Sequence, residues 1–112
     1  MVDKKLEIEI EMLHHKVCYA LADQTRILIL YHLAEEPRYV NELVDVMQLP
    51  QSTISRHLRV LRERNLVDTK RDGSAIRYTL TDHRVIDALD ILRSILATQL
   101  ANSIEIAQSL ME

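Results

Sequence analysis

The sequence predicts a mainly helical protein with one small β-hairpin. Its large apolar side chains are chiefly those of Leu, Ile, Val and Met, because the chain contains no Phe and no Trp. One glycine and two prolines in 112 residues leave few breaks, and such a composition favours helices. Only at 66–80 do two strand-like runs flank an Asp72-Gly73 turn, which is a strong hairpin signal. The length fits a single domain covering 1–112.

The first half of the chain contains three predicted helices. The first is expected over about 4–20, where apolar residues at spacings of three and four form one stripe. Asp23 is a good N-cap for a second helix over 24–34. A short amphipathic helix is expected at 40–47, and Pro50 imposes the break that follows it.

The second half contains a helix, the hairpin and a long final helix. The fourth helix is expected over 51–64, with Ile54, Leu58 and Leu61 as its buried row. The final helix begins at about 83 and continues almost to the C-terminus, over 83–110. The order α-α-α-α-β-β-α is that of a winged helix-turn-helix, in which the helix-turn-helix covers about 40–64 and the wing about 66–80.

Basic residues are concentrated in one part of an acidic chain. The formal net charge is −3, yet residues 51–77 hold seven Lys and Arg against three acidic residues. That segment therefore carries +4, which leaves −7 for the rest of the chain. Such segregation indicates one surface suited to a polyanion.

The outward face of the fourth helix carries residue types that recognise DNA. With Ile54, Leu58 and Leu61 inward, small hydroxyl and basic side chains fall on the opposite face. On the first turns of a helix, Arg56 can bind guanine as a fork and Gln51 can pair with adenine. Backbone N–H groups at the same helix start offer a position for a phosphate. The candidate contacts on this helix are Gln51, Ser52, Thr53, Ser55, Arg56, His57 and Arg59.

The hairpin places a second basic element beside that helix. Its tip carries no bulky side chain, and Lys and Arg residues flank it. Basic side chains are attracted to the narrow, negative minor groove of DNA. A surface hairpin kept soluble by edge charges is the alternative interpretation. The candidate contacts on the wing are Lys70, Arg71, Gly73, Ser74 and Arg77.

Two apolar stripes, on the first and last helices, are too large for a chain of this length to cover by itself. Exposed apolar faces of that size usually mark an interface, so we expect a homodimer through these two helices. Dimerisation also sets two recognition helices one DNA turn apart, which suits a palindrome. The expected interface residues are Leu6, Ile10, Leu13, Val17, Val85, Leu89, Leu92 and Leu96.

Three segments resemble the ArsR/SmtB family of bacterial and archaeal winged-helix repressors. They read ALADQTRILILYHLAEEP, VNELVDVMQLPQSTISRHLRVLRERNLV and KRDGSAIRYTLTD, and they fall within about 17–82. The resemblance implies a homodimer that binds an operator dyad near a promoter and leaves when an effector binds. It also implies base contacts by Gln51, Ser52, Ser55 and Arg56, and a wing formed by Gly73 and its basic neighbours.

Neither of the two metal sites familiar in that family is expected here. Where a thiolate site would read ELCVCDL, this chain reads ELVDVM, with Val44 and Val46 in place of the cysteines. A final-helix site would need a second pair of ligands where Ser94 and Ala97 stand. Without imidazole or carboxylate there, a four-coordinate site cannot close, so no metal is predicted at either place.

The segment EMLHHKVC contains the remaining ligand-compatible pattern. His14 and Cys18 lie at i and i+4, as do Glu11 and His15. Two ligands per chain are few unless a dimer joins both sets. We favour an interfacial helix with Cys18 as a small apolar residue. A metal or thiol sensor acting through His14 and Cys18 is the alternative.

Several sequence features bear on the compartment. The single cysteine excludes an intramolecular disulfide and fits a reducing cytoplasm. The first residues alternate charged and apolar types and contain no signal-peptide core. No apolar run approaches the ~18 residues of a membrane span. The expected location is the cytoplasm, without a membrane partner.

The function favoured by the sequence is sequence-specific DNA binding by a dimeric repressor. No catalytic set or phosphate-binding loop is recognisable, so neither enzyme activity nor a cofactor is predicted. For His57, capping or a phosphate contact is favoured over catalysis. The expected partners are double-stranded operator DNA, a second copy of the chain, and a small-molecule or metal effector that the sequence does not identify. The competing class is a winged-helix module that binds another protein.

Overall fold

The computed structural model describes all 112 residues and has the predicted order of helices, hairpin and final helix. The elements are α1 (Lys4–Leu13), a π-helical turn (His14–Cys18), α2 (Tyr19–Leu21), α3 (Gln24–Glu35), β1 (Arg38–Tyr39), α4 (Val40–Met47), α5 (Gln51–Glu63), β2 (Val67–Asp72), β3 (Ala75–Leu80) and α6 (Arg84–Met111). The mainly α fold with a small wing is confirmed. The chain forms two compact units, Met1–Asp82 and His83–Glu112.

The wing belongs to a three-stranded antiparallel sheet, not to a hairpin alone. The strand order is β1-β3-β2, and Tyr39 in β1 lies opposite Arg77 in β3. β1 has only two residues, too few to show an alternating pattern in the sequence. Gly73 has φ +63°, which suits the two-residue loop between β2 and β3.

Leucine and isoleucine side chains form the interior of the first unit. The predicted buried row of α5 is confirmed, because Ile54, Leu58 and Leu61 are all fully buried. Asp23 caps α3 as predicted, since its Oδ1 accepts from the N–H groups of Thr25 (2.8 Å) and Arg26 (3.2 Å). The remaining fully buried large side chains are Ile29, Leu30, Leu43 and Val67.

The first predicted helix is not regular throughout. Asp3 is the N-cap of α1, and its Oδ1 accepts from the Leu6 N–H at 2.9 Å. The chain then widens into the π-helical turn, where the N–H of Tyr19 reaches the carbonyl of His14 five residues earlier. No side chain of α1 is buried, although the helix carries several large apolar residues.

Two arginines tie the end of this N-terminal segment to α3 and α5. From α3, Arg26 donates from Nε to the Ala20 carbonyl (2.7 Å) and from Nη2 to the Tyr19 carbonyl (3.0 Å). From the C-cap of α5, Arg64 donates to the His15 carbonyl at 2.6 Å. Both guanidinium groups also lie over the Tyr19 ring, at 5.6 Å and 4.5 Å from its centroid. We call this arrangement the Tyr19 clamp.

α6 makes up most of the second unit and has 28 residues, so its length is about 42 Å. Within it only Ile86 and Leu89 are buried. Every residue after Leu89 is exposed, including Leu92, Leu96 and other large apolar side chains. No helix of this protein is both long and apolar enough to span a bilayer.

Candidate nucleic-acid interface

The outward face of α5 is exposed to solvent and polar. Its side chains that point away from the core include two serines, two arginines and the N-terminal glutamine. This arrangement follows from helical periodicity, because the buried residues occupy the other side. The exposed candidates are Gln51, Ser52, Ser55, Arg56 and Arg59.

The start of α5 leaves backbone donors free. Pro50 occupies the N-cap position, with φ −59°, and no side chain caps the helix. The carbonyl of Pro50 accepts from the N–H groups of Thr53 and Ile54, at 3.1 Å each. The N–H groups of the first turn, at Gln51 and Ser52, therefore lie where an anion can bind.

The two outward arginines differ in their charge partners. No acidic side chain lies within 4 Å of the Arg56 guanidinium, whereas Arg59 Nε lies 3.5 Å from Glu63 Oε1. The Arg59 pair is highly exposed, with 80% and 63% of the two side chains accessible, so it is weak. Arg56 thus has the whole of its guanidinium available for a ligand.

Two further candidates on α5 do not share this face. Thr53 is half-buried, and His57 is buried with only 7% of its surface accessible. The Nδ1 atom of His57 lies 3.4 Å from Arg26 Nη1. The sequence favoured capping or a phosphate contact for His57, and a direct phosphate contact would require the ring to leave this site.

The burial of His57 predicts a pH-dependent stability. Burial lowers the pKa of the imidazole; the Asp23 carboxylate opposes this change, while Arg26 and Arg56 reinforce it. The neutral, buried ring contributes fully to the stability of the fold above about pH 6.5, the pKa of a histidine in the unfolded chain. This contribution is lost as the pH falls through the lowered pKa of the folded state. We expect urea denaturation between pH 7.5 and 5.5 to show a steeper loss of stability in wild type than in His57→Gln. Parallel losses in the two proteins would contradict this prediction.

The wing places two basic side chains directly opposite each other. Lys70 in β2 pairs with Arg77 in β3, so both side chains lie on one face of the sheet. Like charges in this position repel each other, and a bound polyanion would remove the repulsion. With Arg71 and Asp72 they line a cavity of about 180 Å³, and the Arg77 Nε inside the wing has no hydrogen-bond partner.

The remaining wing candidates lie at or near the tip. Gly73 and Ser74 form the exposed two-residue loop. Arg71 is exposed, but its position in the register places it on the face opposite to Lys70 and Arg77. The wing therefore presents basic side chains from both faces of the sheet.

Sequence reasoning missed Tyr39 and Arg26, each of which supports part of this surface. The Tyr39 hydroxyl donates to Asp72 Oδ2 at 2.5 Å, joining the start of α4 to the wing. This bond is the main cause of the raised pKa of the Tyr39 phenol. Arg26 lies behind the recognition helix, beside His57. Both contacts join residues more than 30 positions apart, so no local pattern indicates them.

The segment with His14 and Cys18 coincides with the π-helical turn. Cys18 is exposed, and the His14 and His15 rings lie 5.5 Å apart in an edge-on arrangement. No group of three or more His, Cys, Asp and Glu side chains in this chain is arranged to hold a metal ion. A single chain thus brings together fewer ligands than a zinc site requires.

The residues predicted for the dimer interface differ in exposure within one chain. The exposed ones are Ile10, Leu13, Leu92 and Leu96, the half-buried ones are Leu6, Val17 and Val85, and Leu89 is buried. Leu89 therefore has little surface to offer a partner, whereas Leu92 and Leu96 have more than half of theirs.

Comparison with known proteins gives a match centred on the helix-turn-helix. A family model described as bacterial regulatory protein, arsR family, matches residues 23–69, from the N-cap of α3 into β2. The HTH-type transcriptional repressor SmtB of Mycobacterium tuberculosis is 40% identical over 74 residues, which are 62% of this chain and 55% of that protein. The chain spans about half the length of the first curated relatives that it matches.

Two solved structures extend the similarity over most of the chain. The HTH-type transcriptional regulator Rv0081 of Mycobacterium tuberculosis is 34% identical over 91 residues, 80% of each chain. Its crystal structure superposes with a TM-score of 0.73 at 30% identity, covering 92% of this chain and 99% of that one. The crystal structure of NolR from Sinorhizobium fredii has the same TM-score, 34% identity, and covers 85% of this chain and 94% of its own.

Proposed function

Since this chain belongs to the ArsR family of bacterial regulatory proteins, we propose that it is a DNA-binding transcriptional regulator that acts as a dimeric repressor. The observation that carries this proposal is the exposed polar face of α5 beside the basic wing in one compact unit. The uncapped start of α5 and the unpaired Arg56 guanidinium support it. The relative SmtB is named as a repressor, which supports the direction of regulation.

In this proposal α5 enters the major groove by its N-terminal turns. Arg56 binds guanine O6 and N7 as a fork, and Gln51 binds adenine. Ser52 and the free N–H groups of the first turn bind a phosphate, which sets the register of the helix. The wing tip follows the adjacent minor groove, with Lys70 and Arg77 close to the backbone.

A dimer is the second part of the proposal. α1 and α6 each expose a row of large apolar residues in a single chain, and a second copy would cover both. A twofold axis then relates two α5 helices, so the operator is expected to be a palindrome with half-sites one or more DNA turns apart. Repression ends when an effector lowers the affinity for that operator. This role supports a cytoplasmic location, where the chromosome lies, and it requires no catalytic site.

Replacing Arg56 with alanine tests the recognition helix. We expect Arg56→Ala to weaken specific binding by about 1–3 kcal/mol, which is about 5- to 150-fold, and to relax base preference at one position of each half-site. The measurement is a set of titrations with the operator and single-base variants of it, at fixed salt. Arg56→Lys keeps the positive charge but lacks the two parallel donors of the guanidinium group, so it should lose the same base preference.

Lys70→Ala provides the contrast to Arg56→Ala. Because we assign Lys70 to a phosphate contact, its loss should weaken binding to all DNA sequences equally. It should also reduce the magnitude of the slope of log K against log [salt] by about 0.9. A uniform loss for Arg56→Ala would instead make Arg56 a backbone contact. If wild type binds its own upstream DNA without salt dependence, the surface does not bind a polyanion, and the protein-interaction module becomes the better interpretation.

A further inference from the structure

A cavity lies beside the proposed DNA-binding surface. It has a volume of about 470 Å³ and opens between the start of α4, the start of α5 and the tip of the wing. Its walls are mostly apolar and include Tyr39, Val40, Val44, Ile76 and Tyr78. A volume of a few hundred cubic ångströms with apolar walls is typical of a site for a small organic ligand.

The cavity exists because β1 is so short. β1 pairs with β3 only at Arg77 and Tyr78, so the end of β3 nearest the wing tip has no strand on that side. The chain turns into α4 at Val40 instead of continuing along the sheet. The space beside Ala75 and Ile76 is therefore left between helix and wing.

The charge of the lining selects among ligands. Asp45 is the only carboxylate that lines the cavity, and no Lys, Arg or His lines it. The Asp45 carboxylate is exposed and has no basic side chain within 4 Å. A phosphate or carboxylate ligand would therefore meet the Asp45 carboxylate with no basic side chain in the lining to offset the repulsion, whereas a cation would find an unpaired negative charge.

The two tyrosines supply the second element of recognition. The hydroxyl of Tyr39 is occupied by its 2.5 Å bond to Asp72, so its ring serves as a wall of the cavity and not as a free hydrogen-bond donor. Aromatic rings near a carboxylate favour planar cations through cation–π contact and stacking. Asn41 and Gln51 add amide groups that can accept from a ligand N–H.

We propose that this cavity binds a small planar organic cation, with Asp45 as its counter-ion and Tyr39 and Tyr78 as aromatic walls. The proposal deepens the proposed function and rests on it, because the site is assigned to the effector. Gln51 and Ser74 line the cavity and are also candidate DNA contacts. A ligand held between them changes the spacing of recognition helix and wing, which couples its binding to that of DNA.

Three probes of the same shape and different charge test the site without DNA. Benzamidine is a planar cation, benzamide is its neutral counterpart, and benzoate is the anion. Methyl resonances of Val40, Val44 and Ile76 report occupancy of the cavity by NMR titration of the full chain. We expect saturable shifts with benzamidine, weaker shifts with benzamide and none with benzoate. Equal shifts with benzoate, or no saturable shift at these methyl groups, would overturn the proposal.

Two variants separate the role of Asp45 from a general change in charge. Asp45→Asn should weaken benzamidine binding by about two- to fivefold, the size expected for an exposed ion pair, and leave benzamide binding unchanged. Glu9→Gln removes one exposed negative charge from α1 and should change neither binding constant. If both variants weaken benzamidine binding equally, Asp45 has no specific role and its assignment as the counter-ion fails.

The regulatory part is tested separately with operator DNA. Benzamidine should lower operator affinity of wild type more than the same concentration of sodium chloride does, and Asp45→Asn should reduce that difference. Benzamidine binding without any effect on DNA would overturn the effector assignment and leave the binding site intact. DNA binding with no benzamidine binding would overturn the site and leave the proposed repressor function intact.

Discussion

Leu92→Glu is expected to convert the protein into monomers and to reduce operator affinity by at least about 100-fold. Leu92 is 59% exposed in the single chain, on the stretch of α6 where no residue is buried. In the proposed dimer its side chain is covered, and an unpaired carboxylate there is costly to bury. Losing the second half-site removes the avidity of the dimer, which is worth about 10²- to 10⁴-fold. Sedimentation velocity and operator titration measure the two effects.

Ser94→Glu is the matched control for this substitution. Ser94 lies two residues further along α6, close to the opposite side of the helix, and is also exposed. The same charge there should leave both the dimer and operator binding near wild type. Leu13→Glu applies the same test to α1, where Leu13 is 47% exposed. A Leu92→Glu protein that remains dimeric with normal operator affinity would refute the proposed interface.

Arg26→Ala is expected to cost about 2–4 kcal/mol of stability, because it opens the Tyr19 clamp. Two charged hydrogen bonds, to the Ala20 and Tyr19 carbonyls, are lost. The bond to the Ala20 carbonyl is partly buried, and a hydrogen bond to a charged group contributes about 1.5–3 kcal/mol. The bond to the Tyr19 carbonyl is exposed and contributes less, and both carbonyls at the helix end lose this donor. Urea denaturation followed by circular dichroism measures the loss.

Tyr19→Phe is the control for the clamp. The contacts of the two arginines are with the Tyr19 ring and main chain, so removal of the hydroxyl should have little effect. Arg26→Lys should fall between wild type and alanine, since an ammonium group cannot reach both carbonyls as a fork. Equal stability of wild type and Arg26→Ala would mean that α2 is held by apolar packing alone.

The long periodic elements of this fold were predictable from the sequence. α4 occupies the predicted residues 40–47, and α5 ends one residue before the predicted boundary. Each has an apolar face with helical spacing, and Pro50 marks the break between them. Asn65, just after the end of α5, has the left-handed conformation that often follows a helix, with φ +61°. Local sequence contains this information because each residue interacts with neighbours within one or two turns.

The parts that were missed depend on contacts between distant residues or on very short patterns. β1 has two residues and is defined only by its pairing with β3. His57 lies at a position that a periodicity argument leaves open, and its burial depends on α3, where Arg26 is 31 residues away. The cavity between α4 and the wing likewise results from where β1 ends. By contrast, the outward positions of Ser52 and Arg56 follow directly from the buried row of α5.

The π-helical turn also determines how this segment tolerates a change in chain length. Each residue advances a regular helix by about 100°, so apolar residues four apart, such as Leu13, Val17 and Leu21, drift by about 40° per step. The wider turn His14–Cys18 takes up one extra residue and reduces that drift. A chain with one residue fewer here would form an unbroken α-helix with α1 facing almost the same way. Deleting one residue from this turn is therefore expected to shorten the chain without turning the apolar stripe of α1 to another side.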